Sequence, residues 1–323
     1  MTKPARVMIL DRDPAPLAAR LSEVMPDVSV KGCDSYVAAG TMISEFRPDV
    51  LYSITFAGRV GYPSEAVLGP EGPEWIAVGG SGVDHLEVWN PDDVTVTNSA
   101  GVAAGMMAEY AFGAALHFTL DIAGLQADQN ARRWDSTRSM TPVKGKTMLI
   151  VGLGQTGQAV AARAKAFGMQ VIGTRSRPVP MDNVDAVHAS GDLPDLWEQA
   201  DVVVLSVPLL DSTRGLVDAR AFAAMKESTI LVDVSRGGVV DADALINALR
   251  NGSIAAAALD VFKTEPLPAD SPIWDLENVI ISPHCSSVYA EWASESFELF
   301  LENLRNWRAG KPLFNIVDPV RRY

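Results

Sequence analysis

The sequence contains very little cysteine and no excess of positive charge. Its two cysteines, Cys33 and Cys285, are too few for a disulfide framework and have no metal-ligand spacing. The 40 acidic residues outnumber the 27 lysines and arginines, giving a net charge of −13, which repels nucleic-acid phosphates and anionic membrane surfaces. These deficits predict a cytoplasmic protein with reduced thiols, no bound metal, and no nucleic-acid or membrane partner.

Long hydrophobic runs are missing as well. The apolar run at the N-terminus is too short for the core of a signal peptide, and Asp11 and Asp13 follow it directly. The one stretch that resembles a membrane span, residues 103–120, is rich in alanine and glycine and carries Glu109 near its middle. That composition is typical of a buried or interface helix, so we expect neither export nor membrane insertion.

What the chain does contain is a regular alternation of short apolar strands and helical patterns. With 323 residues, 48% of them hydrophobic, it can bury two cores. The predicted strands form two series: 5–10, 28–33, 50–54, 75–80 and 94–98, then 146–154, 169–174, 201–208, 229–235, 255–261 and 278–284. A helical stretch over 102–130 joins them, and another covers 289–310. The alternation predicts an α/β protein with two doubly wound parallel-sheet domains.

A glycine motif opens the second series. "VGLGQTG" places Gly152, Gly154 and Gly157 in G-x-G-x-x-G spacing after an apolar strand and before a predicted helix. The first glycine permits a tight turn, the second lets the backbone approach a pyrophosphate, and the third allows close packing of helix and strand. Although an ordinary glycine-rich turn has the same local features, this context favours dinucleotide binding at the helix N-terminus.

Two arginines stand where such a fold usually places an acid. Arg175 lies eighteen residues after Gly157, at the position expected to bond the cofactor ribose. Arg175 and Arg177, with the hydroxyl of Ser176 or Thr174 beside them, suit charge-assisted hydrogen bonds to a 2′-phosphate. We therefore expect a preference for NADPH; NADH stays open, because both arginines could be ordinary solvated loop residues.

Three later segments carry side chains suited to acid–base and anion chemistry. They are "VDVSRGGVVD" with Arg236, "LDVFKTEPLP" with Glu265 and "NVIISPHCSS" with His284. With these segments in this order, the sequence resembles the D-isomer-specific 2-hydroxyacid dehydrogenases over nearly its whole length. Further segments match family motifs: "GSGVDHL" over 80–86, "NSAGVAAGMMAEYAFG" over 98–113, "SVPLLDSTRGLVD" over 206–218 and the tail "LFNIVDPVRRY".

The resemblance implies a role for each of these side chains. Arg236 would hold the carboxylate and carbonyl oxygen of a 2-keto acid with its planar fork. His284 would supply the proton, and Glu265 would fix the tautomer of its imidazole. Taken singly, Arg236 and His284 could be structural residues at strand ends, and Glu265 could be a turn residue before Pro266. Cys285, beside His284, is expected to be a small buried residue.

The remaining expected contacts belong to substrate and cofactor. Backbone N–H groups of Ser81 and Gly82 would bind the substrate carboxylate, and Asp260 would face the nicotinamide carboxamide. Besides Asp260, the residues expected at the cofactor are Gly152, Gly154, Gln155, Thr156, Gly157, Thr174, Arg175, Ser176, Arg177, Val207, Pro208, Thr213, Val234, Ser235 and His284.

The resemblance also implies an organisation and an activity. Residues 1–99 with 286–323 would form a flavodoxin-like substrate domain, into which a Rossmann cofactor domain of residues 100–285 is inserted. The active site is expected in the cleft between the domains, and the chain is expected to form a homodimer. The activity would be NADPH-preferring reduction of small 2-keto acids to D-2-hydroxy acids, closest to glyoxylate/hydroxypyruvate reductases. The alternatives are an NAD-dependent D-2-hydroxyacid dehydrogenase of other substrate range and a non-catalytic, dinucleotide-sensing binding protein.

Overall fold

The computed structural model describes residue 3, residues 5–55 and residues 61–322. The chain divides into two units, Met1–Val102 with Ala290–Tyr323, and Ala103–Tyr289. Both domain changes lie a few residues later than the predicted boundaries at 99/100 and 285/286.

The first unit is built on a five-stranded parallel sheet. Its strand order is β2-β1-β3-β4-β5, the flavodoxin-like order. The strands are β1 (Arg6–Leu10), β2 (Ser29–Cys33), β3 (Val50–Ser53), β4 (Trp75–Val78) and β5 (Thr95–Asn98). The helices are α1 (Pro14–Val24), α2 (Tyr36–Phe46), α3 (Ser64–Leu68) and the C-terminal α9 (Trp292–Arg308).

Both faces of this sheet are buried. Alternate residues of β1 belong to separate cores, with Met8 on one face and Ile9 on the other. The second face packs against apolar residues of α9, including Phe297 and Leu301. This double burial explains why the strands read as continuous apolar runs in the sequence.

The second unit is built on a seven-stranded parallel sheet of order β12-β11-β10-β9-β6-β7-β8. The strands are β6 (Thr147–Val151), β7 (Gln170–Arg175), β8 (Ala186–Ala189), β9 (Val202–Leu205), β10 (Ile230–Asp233), β11 (Ala256–Leu259) and β12 (Val279–Ile281). The helices are α4 (Ala104–Thr119), α5 (Ile122–Asn130), α6 (Gln155–Ala166), α7 (Ala219–Ala224) and α8 (Ala242–Arg250). The order from β8 through β12 extends that of a Rossmann domain, so the predicted fold class is confirmed.

Two local features differ from the sequence-based expectation. The predicted helical stretch 102–130 is divided into α4 and α5, because Asp121 adopts a left-handed φ of 49° and its side chain accepts the Gly124 N–H. The strand β8 was not predicted: it is a half-buried edge strand and lacks the continuous apolar run of the inner strands.

Within the described residues, no helix is both long enough and apolar enough to span a bilayer.

Candidate active site

The glycine motif lies where the strand order of the second sheet reverses, between β9, β6 and β7. Gly152 has a φ of 99°, and a Cβ added there would lie 2.8 Å from the Ser206 carbonyl oxygen. A Cβ on Gly157 would lie 2.2 Å from the Gly152 oxygen. Both positions therefore require glycine for the turn and for helix packing.

The middle glycine borders open space. A Cβ on Gly154 would meet no heavy atom of the described residues within 4 Å, and α6 begins directly after it with Gln155 and Thr156. The N–H groups of the first turn have no side-chain cap at Gly154. This combination of an open approach and N–H donors at a switch point fits a dinucleotide pyrophosphate.

The two arginines after β7 are exposed. Arg175 is the last residue of β7, and its Nη1 lies 3.7 Å from the Met181 sulfur. In the described part of the chain, neither Arg175 nor Arg177 lies within 4.0 Å of a carboxylate oxygen. Thr174 is buried, and its carbonyl accepts the Leu153 N–H, while Ser176 is exposed. The loop therefore offers two uncompensated guanidinium groups to an anion.

Several residues assigned to the cofactor use their side chains inside the protein. The Thr213 hydroxyl donates to the Pro208 carbonyl at 2.6 Å and accepts the Leu210 N–H, which closes this loop. Val207 packs onto the core of the unit. Val234 and Ser235 are buried. For Val234 and Ser235, a contact with the cofactor would have to come from the backbone.

His284 and Glu265 form a hydrogen-bonded pair. Nδ1 of His284 lies 2.9 Å from Oε2 of Glu265, and both side chains are 37% exposed. The other oxygen of Glu265 accepts the Phe262 N–H at 2.9 Å, so each carboxylate oxygen accepts one hydrogen bond. Because an ionised carboxylate can only accept a hydrogen bond, Nδ1 of His284 carries the hydrogen of this pair, and Nε2 remains to exchange a proton with a ligand.

Arg236 lies in the loop next to this pair. It follows β10, while Glu265 follows β11 and His284 follows β12, and these three strands are neighbours in the parallel sheet. Their carboxyl ends share one edge, so the structure brings the loops of all three residues together. Gly237, which the sequence analysis did not single out, packs so closely on the Glu265 loop that a Cβ would lie 1.9 Å from the Phe262 oxygen.

The turn that carries His284 is held by Asp260, which is 1% exposed. One oxygen of Asp260 accepts the Ser282 hydroxyl at 2.6 Å and the Cys285 N–H at 2.8 Å. Both of its oxygens accept the Ser286 N–H. These bonds show that Asp260 stabilises the turn, in which His284 has a φ of 52°. The expected contact of Asp260 with the nicotinamide stays a prediction.

Two further residues complete this network and were not found from the sequence. The Tyr110 hydroxyl on α4 lies 2.7 Å from the Ser282 hydroxyl. Since the Ser282 hydroxyl donates its hydrogen bond to Asp260, Tyr110 is the donor in the bond between the two hydroxyls. Burial raises the pKa of Tyr110 above its ordinary value. Ser282 stands two residues before His284, a proximity that could have drawn attention to it.

Asp233 is a second buried acid at this edge, at the end of β10. Its carboxyl accepts both the N–H and the hydroxyl of Ser235. Burial raises the pKa of Asp233 to about 7, and the charge of Asp260 adds to this effect. An acid at the end of an apolar strand is a signal in the sequence that could have pointed to Asp233.

The exposure of Cys285 differs from the expectation. The residue is exposed, whereas it was expected to be buried. The reason lies in the turn, because the Cys285 N–H is bonded to the buried Asp260 while the side chain remains at the surface.

Among the described residues, no group of three or more histidine, cysteine or acidic side chains is placed to hold a metal ion.

The loop expected to bind the substrate carboxylate lies in the first unit. The Ser81 carbonyl accepts the Asn98 amide at 2.7 Å, and the buried Ser296 hydroxyl donates to the Gly79 carbonyl at 2.7 Å. Within the described residues, the N–H groups of Ser81 and Gly82 donate no hydrogen bond. The loop is thus anchored through its carbonyls, which leaves two backbone donors for a ligand.

Comparisons with known proteins identify relatives of this chain. A family model described as D-isomer specific 2-hydroxyacid dehydrogenase, NAD binding domain, matches residues 112–286. A glyoxylate reductase of Korarchaeum cryptofilum is 36% identical over 250 residues, which cover 75% of this chain and 74% of that protein. A D-3-phosphoglycerate dehydrogenase of Methanocaldococcus jannaschii is 34% identical over 74% of this chain, and the chain spans about half, 46%, of that relative.

The similarity extends to solved structures. A D-isomer specific 2-hydroxyacid dehydrogenase from Xanthobacter autotrophicus Py2, in complex with NADPH and MES, superimposes with a TM-score of 0.83. The two sequences are 28% identical, and the match covers 99% of this chain and 100% of the other.

Gly237→Ala tests the contact between the Arg236 and Glu265 loops. The added Cβ, 1.9 Å from the Phe262 oxygen, forces the loops apart, and we expect unfolding free energy to fall by about 1–3 kcal/mol. Gly191→Ala is the control, because its Cβ would meet nothing within 4 Å. Denaturant unfolding measures both; equal stability of the two variants would contradict the close contact.

Asp233→Asn tests the buried acid. Because its pKa is about 7 in the folded chain and 3.8 is the ordinary value, the folded state binds more protons than the unfolded state between these limits. The free energy of unfolding should therefore fall as pH rises through this window, by at most about 1.4 kcal/mol per pH unit. Denaturant unfolding between about pH 5 and about pH 7 should show a shallower decline in Asp233→Asn. The same slope in both proteins would count against the raised pKa.

Proposed function

Because this chain belongs to the D-isomer-specific 2-hydroxyacid dehydrogenase family of NAD(P)-dependent oxidoreductases, we propose that it reduces small 2-keto acids to D-2-hydroxy acids, with a preference for NADPH. The observation that supports this most directly is the Glu265–His284 pair, with the Arg236 loop on the neighbouring strand end. A proton donor and a carboxylate-binding guanidinium at one edge are what reduction of a 2-keto acid requires of the protein.

Each side chain has one task in this proposal. Arg236 binds the carboxylate and the carbonyl oxygen of the substrate together, because its planar fork offers two parallel donors. His284 gives its Nε2 proton to the carbonyl oxygen as negative charge develops there, and Glu265 keeps Nδ1 protonated and stabilises the positive imidazolium. The nicotinamide cofactor, when bound, supplies the hydride. In the reverse direction, His284 removes the hydroxyl proton.

The cofactor preference is inferred from the loop after β7. Arg175 and Arg177 are exposed and have no carboxylate partner among the described residues, so they can pair with a 2′-phosphate. An acid in this place would repel that phosphate. The relative from Xanthobacter autotrophicus Py2 was solved with NADPH, which is in keeping with this choice.

The substrate class is inferred from the carboxylate loop and from the relatives. Ser81 and Gly82 would bind the substrate carboxylate through backbone N–H groups, which recognise the anion without contacting the rest of the molecule. The glyoxylate reductase of Korarchaeum cryptofilum matches over most of both chains. Glyoxylate and hydroxypyruvate are therefore the substrates that we propose first.

A homodimer and a cytoplasmic location remain part of the proposal. The apolar side chains that a second copy would cover lie on and after α5: Ile122, Leu125, Trp134 and Met140 are all exposed, Trp134 to 96%. A second copy that covered these side chains would remove their apolar surface from water.

His284→Ala and Arg236→Ala test the catalytic assignment. Removing the proton donor should lower kcat about 10²–10⁴-fold, and removing the guanidinium should mainly lower kcat/KM. NADPH consumption with glyoxylate and with hydroxypyruvate measures both. His188→Ala, at a half-buried histidine on β8, is the control and should retain activity. Full activity of His284→Ala, with circular dichroism unchanged from the parent protein, would refute the assignment.

Arg175→Asp tests the cofactor preference. Losing a charge-assisted bond of about 1.5–3 kcal/mol should lower kcat/KM for NADPH about 10- to 100-fold and shift the preference towards NADH. Arg220→Asp, at an exposed arginine on α7, controls for the change in net charge. Initial rates with both cofactors, on glyoxylate, hydroxypyruvate, pyruvate and phenylpyruvate, measure the ratio. A parent protein that uses NADH as well as NADPH would show that the preference is wrong.

A further inference from the structure

The chain after α9 returns to the sheet of the first unit. We call residues 315–322 the C-terminal clasp. The Asn98 N–H donates to the Asn315 carbonyl at 3.1 Å, and the Val317 N–H donates to the Val96 carbonyl at 2.8 Å. Val317 is buried in the same apolar core as Trp89. The clasp is therefore fixed to β5 by its backbone and to the core by a side chain.

The clasp ends in a tight turn organised by Asp318. The carboxylate of Asp318 accepts the N–H groups of Val320 and Arg321 at 2.8 and 2.9 Å. Its carbonyl accepts the Arg322 N–H at 2.7 Å. These backbone donors hold the pKa of Asp318 below its ordinary value. The turn gives the backbone of Arg322 a defined position, with a φ of 63°.

The Arg322 side chain bonds both ends of a turn in the carboxylate loop. Its Nη1 donates to the Leu86 carbonyl at 2.9 Å and to the Val83 carbonyl at 3.3 Å. The Val83 carbonyl also accepts the Leu86 N–H, which closes the turn. The guanidinium carbon lies 5.6 Å from the ring centroid of Trp89, a residue that is itself buried. One cation thus fixes the segment that directly follows Ser81 and Gly82.

We propose that Arg322 is a positioning residue for substrate binding: from the clasp, it fixes the carboxylate loop so that the Ser81 and Gly82 N–H groups face one carboxylate together. This inference rests on the proposed function. The sequence of the loop favours mobility, since Gly79, Gly80 and Gly82 surround Ser81. Asn98 holds the loop through the Ser81 carbonyl, and Arg322 holds it on the other side of Gly82. Two donors that are ordered in advance bind an anion without the entropic cost of ordering them.

The position of Arg322 determines which kinetic constant should change. The guanidinium bonds loop carbonyls and takes no part in proton or hydride transfer. Its loss therefore leaves the chemical step intact and weakens the binding of the keto acid. A residue that only stabilised the fold would instead lower the amount of active protein, without a selective change in KM.

Arg322→Ala and Arg321→Ala form a matched pair for the test. Arg321 precedes Arg322 in the same turn, but its side chain is 50% exposed and its nearest acidic oxygen, on Asp318, lies 4.0 Å away. We expect Arg322→Ala to raise the KM for glyoxylate about tenfold, with kcat and the KM for NADPH within about twofold of the parent. Arg321→Ala should match the parent in all three constants.

Hydrogen exchange measured by mass spectrometry gives a readout that is independent of activity. The Leu86 amide, whose N–H is bonded to the Val83 carbonyl, should exchange faster in Arg322→Ala than in Arg321→Ala. If Arg322→Ala does not fold, Arg322→Lys serves instead, because it retains a cation near Trp89 but removes the guanidinium group that bonds the two carbonyls. Equal KM values and equal exchange in the two variants would overturn the inference while leaving the proposed function intact. A parent protein without turnover of any 2-keto acid would overturn the proposed function first.

Discussion

The candidate site depends on one constraint, the common direction of neighbouring strands in the second sheet. Parallel strands lie about 5 Å apart, and their carboxyl ends meet at one edge. Because β10, β11 and β12 are neighbours, the loops of Arg236, Glu265 and His284 come together although the residues are far apart in sequence. The close approach at Gly237 then joins two of these loops directly. An insertion that changed the order of these strands would separate the three side chains.

Buried carboxyl groups hold the loops at this edge, but burying them has a free-energy cost. A buried charge is costly unless donors surround it. Asp260 meets this requirement with one hydroxyl and two backbone N–H groups, and the same bonds shape the His284 turn. Asp233 has donors from a single residue, Ser235, and its pKa rises to about 7. Asp260 therefore accepts hydrogen bonds from three residues, whereas Asp233 accepts them from one.

Net charge and local charge have separate consequences in this protein. The overall charge of −13 opposes binding to extended polyanions, where many phosphates interact at once. A single phosphate interacts mainly with groups inside the Debye length, about 8 Å at physiological ionic strength. Arg175 and Arg177 can therefore attract one phosphate group on an otherwise acidic protein.

The sequence by itself determined those features that adjacent residues encode. Continuous apolar runs predicted the inner strands, the spacing of Gly152, Gly154 and Gly157 predicted the turn between β6 and α6, and three later segments in the family's order indicated the family. Tertiary structure alone decided the edge strand β8, the contact of Tyr110 with Ser282, the exposure of Cys285 and the reach of Arg322 to the Val83 turn. Each of these depends on residues that are distant in sequence or on partial burial. Local periodicity records which face of an element is apolar, but it carries no information about which distant group that face will meet.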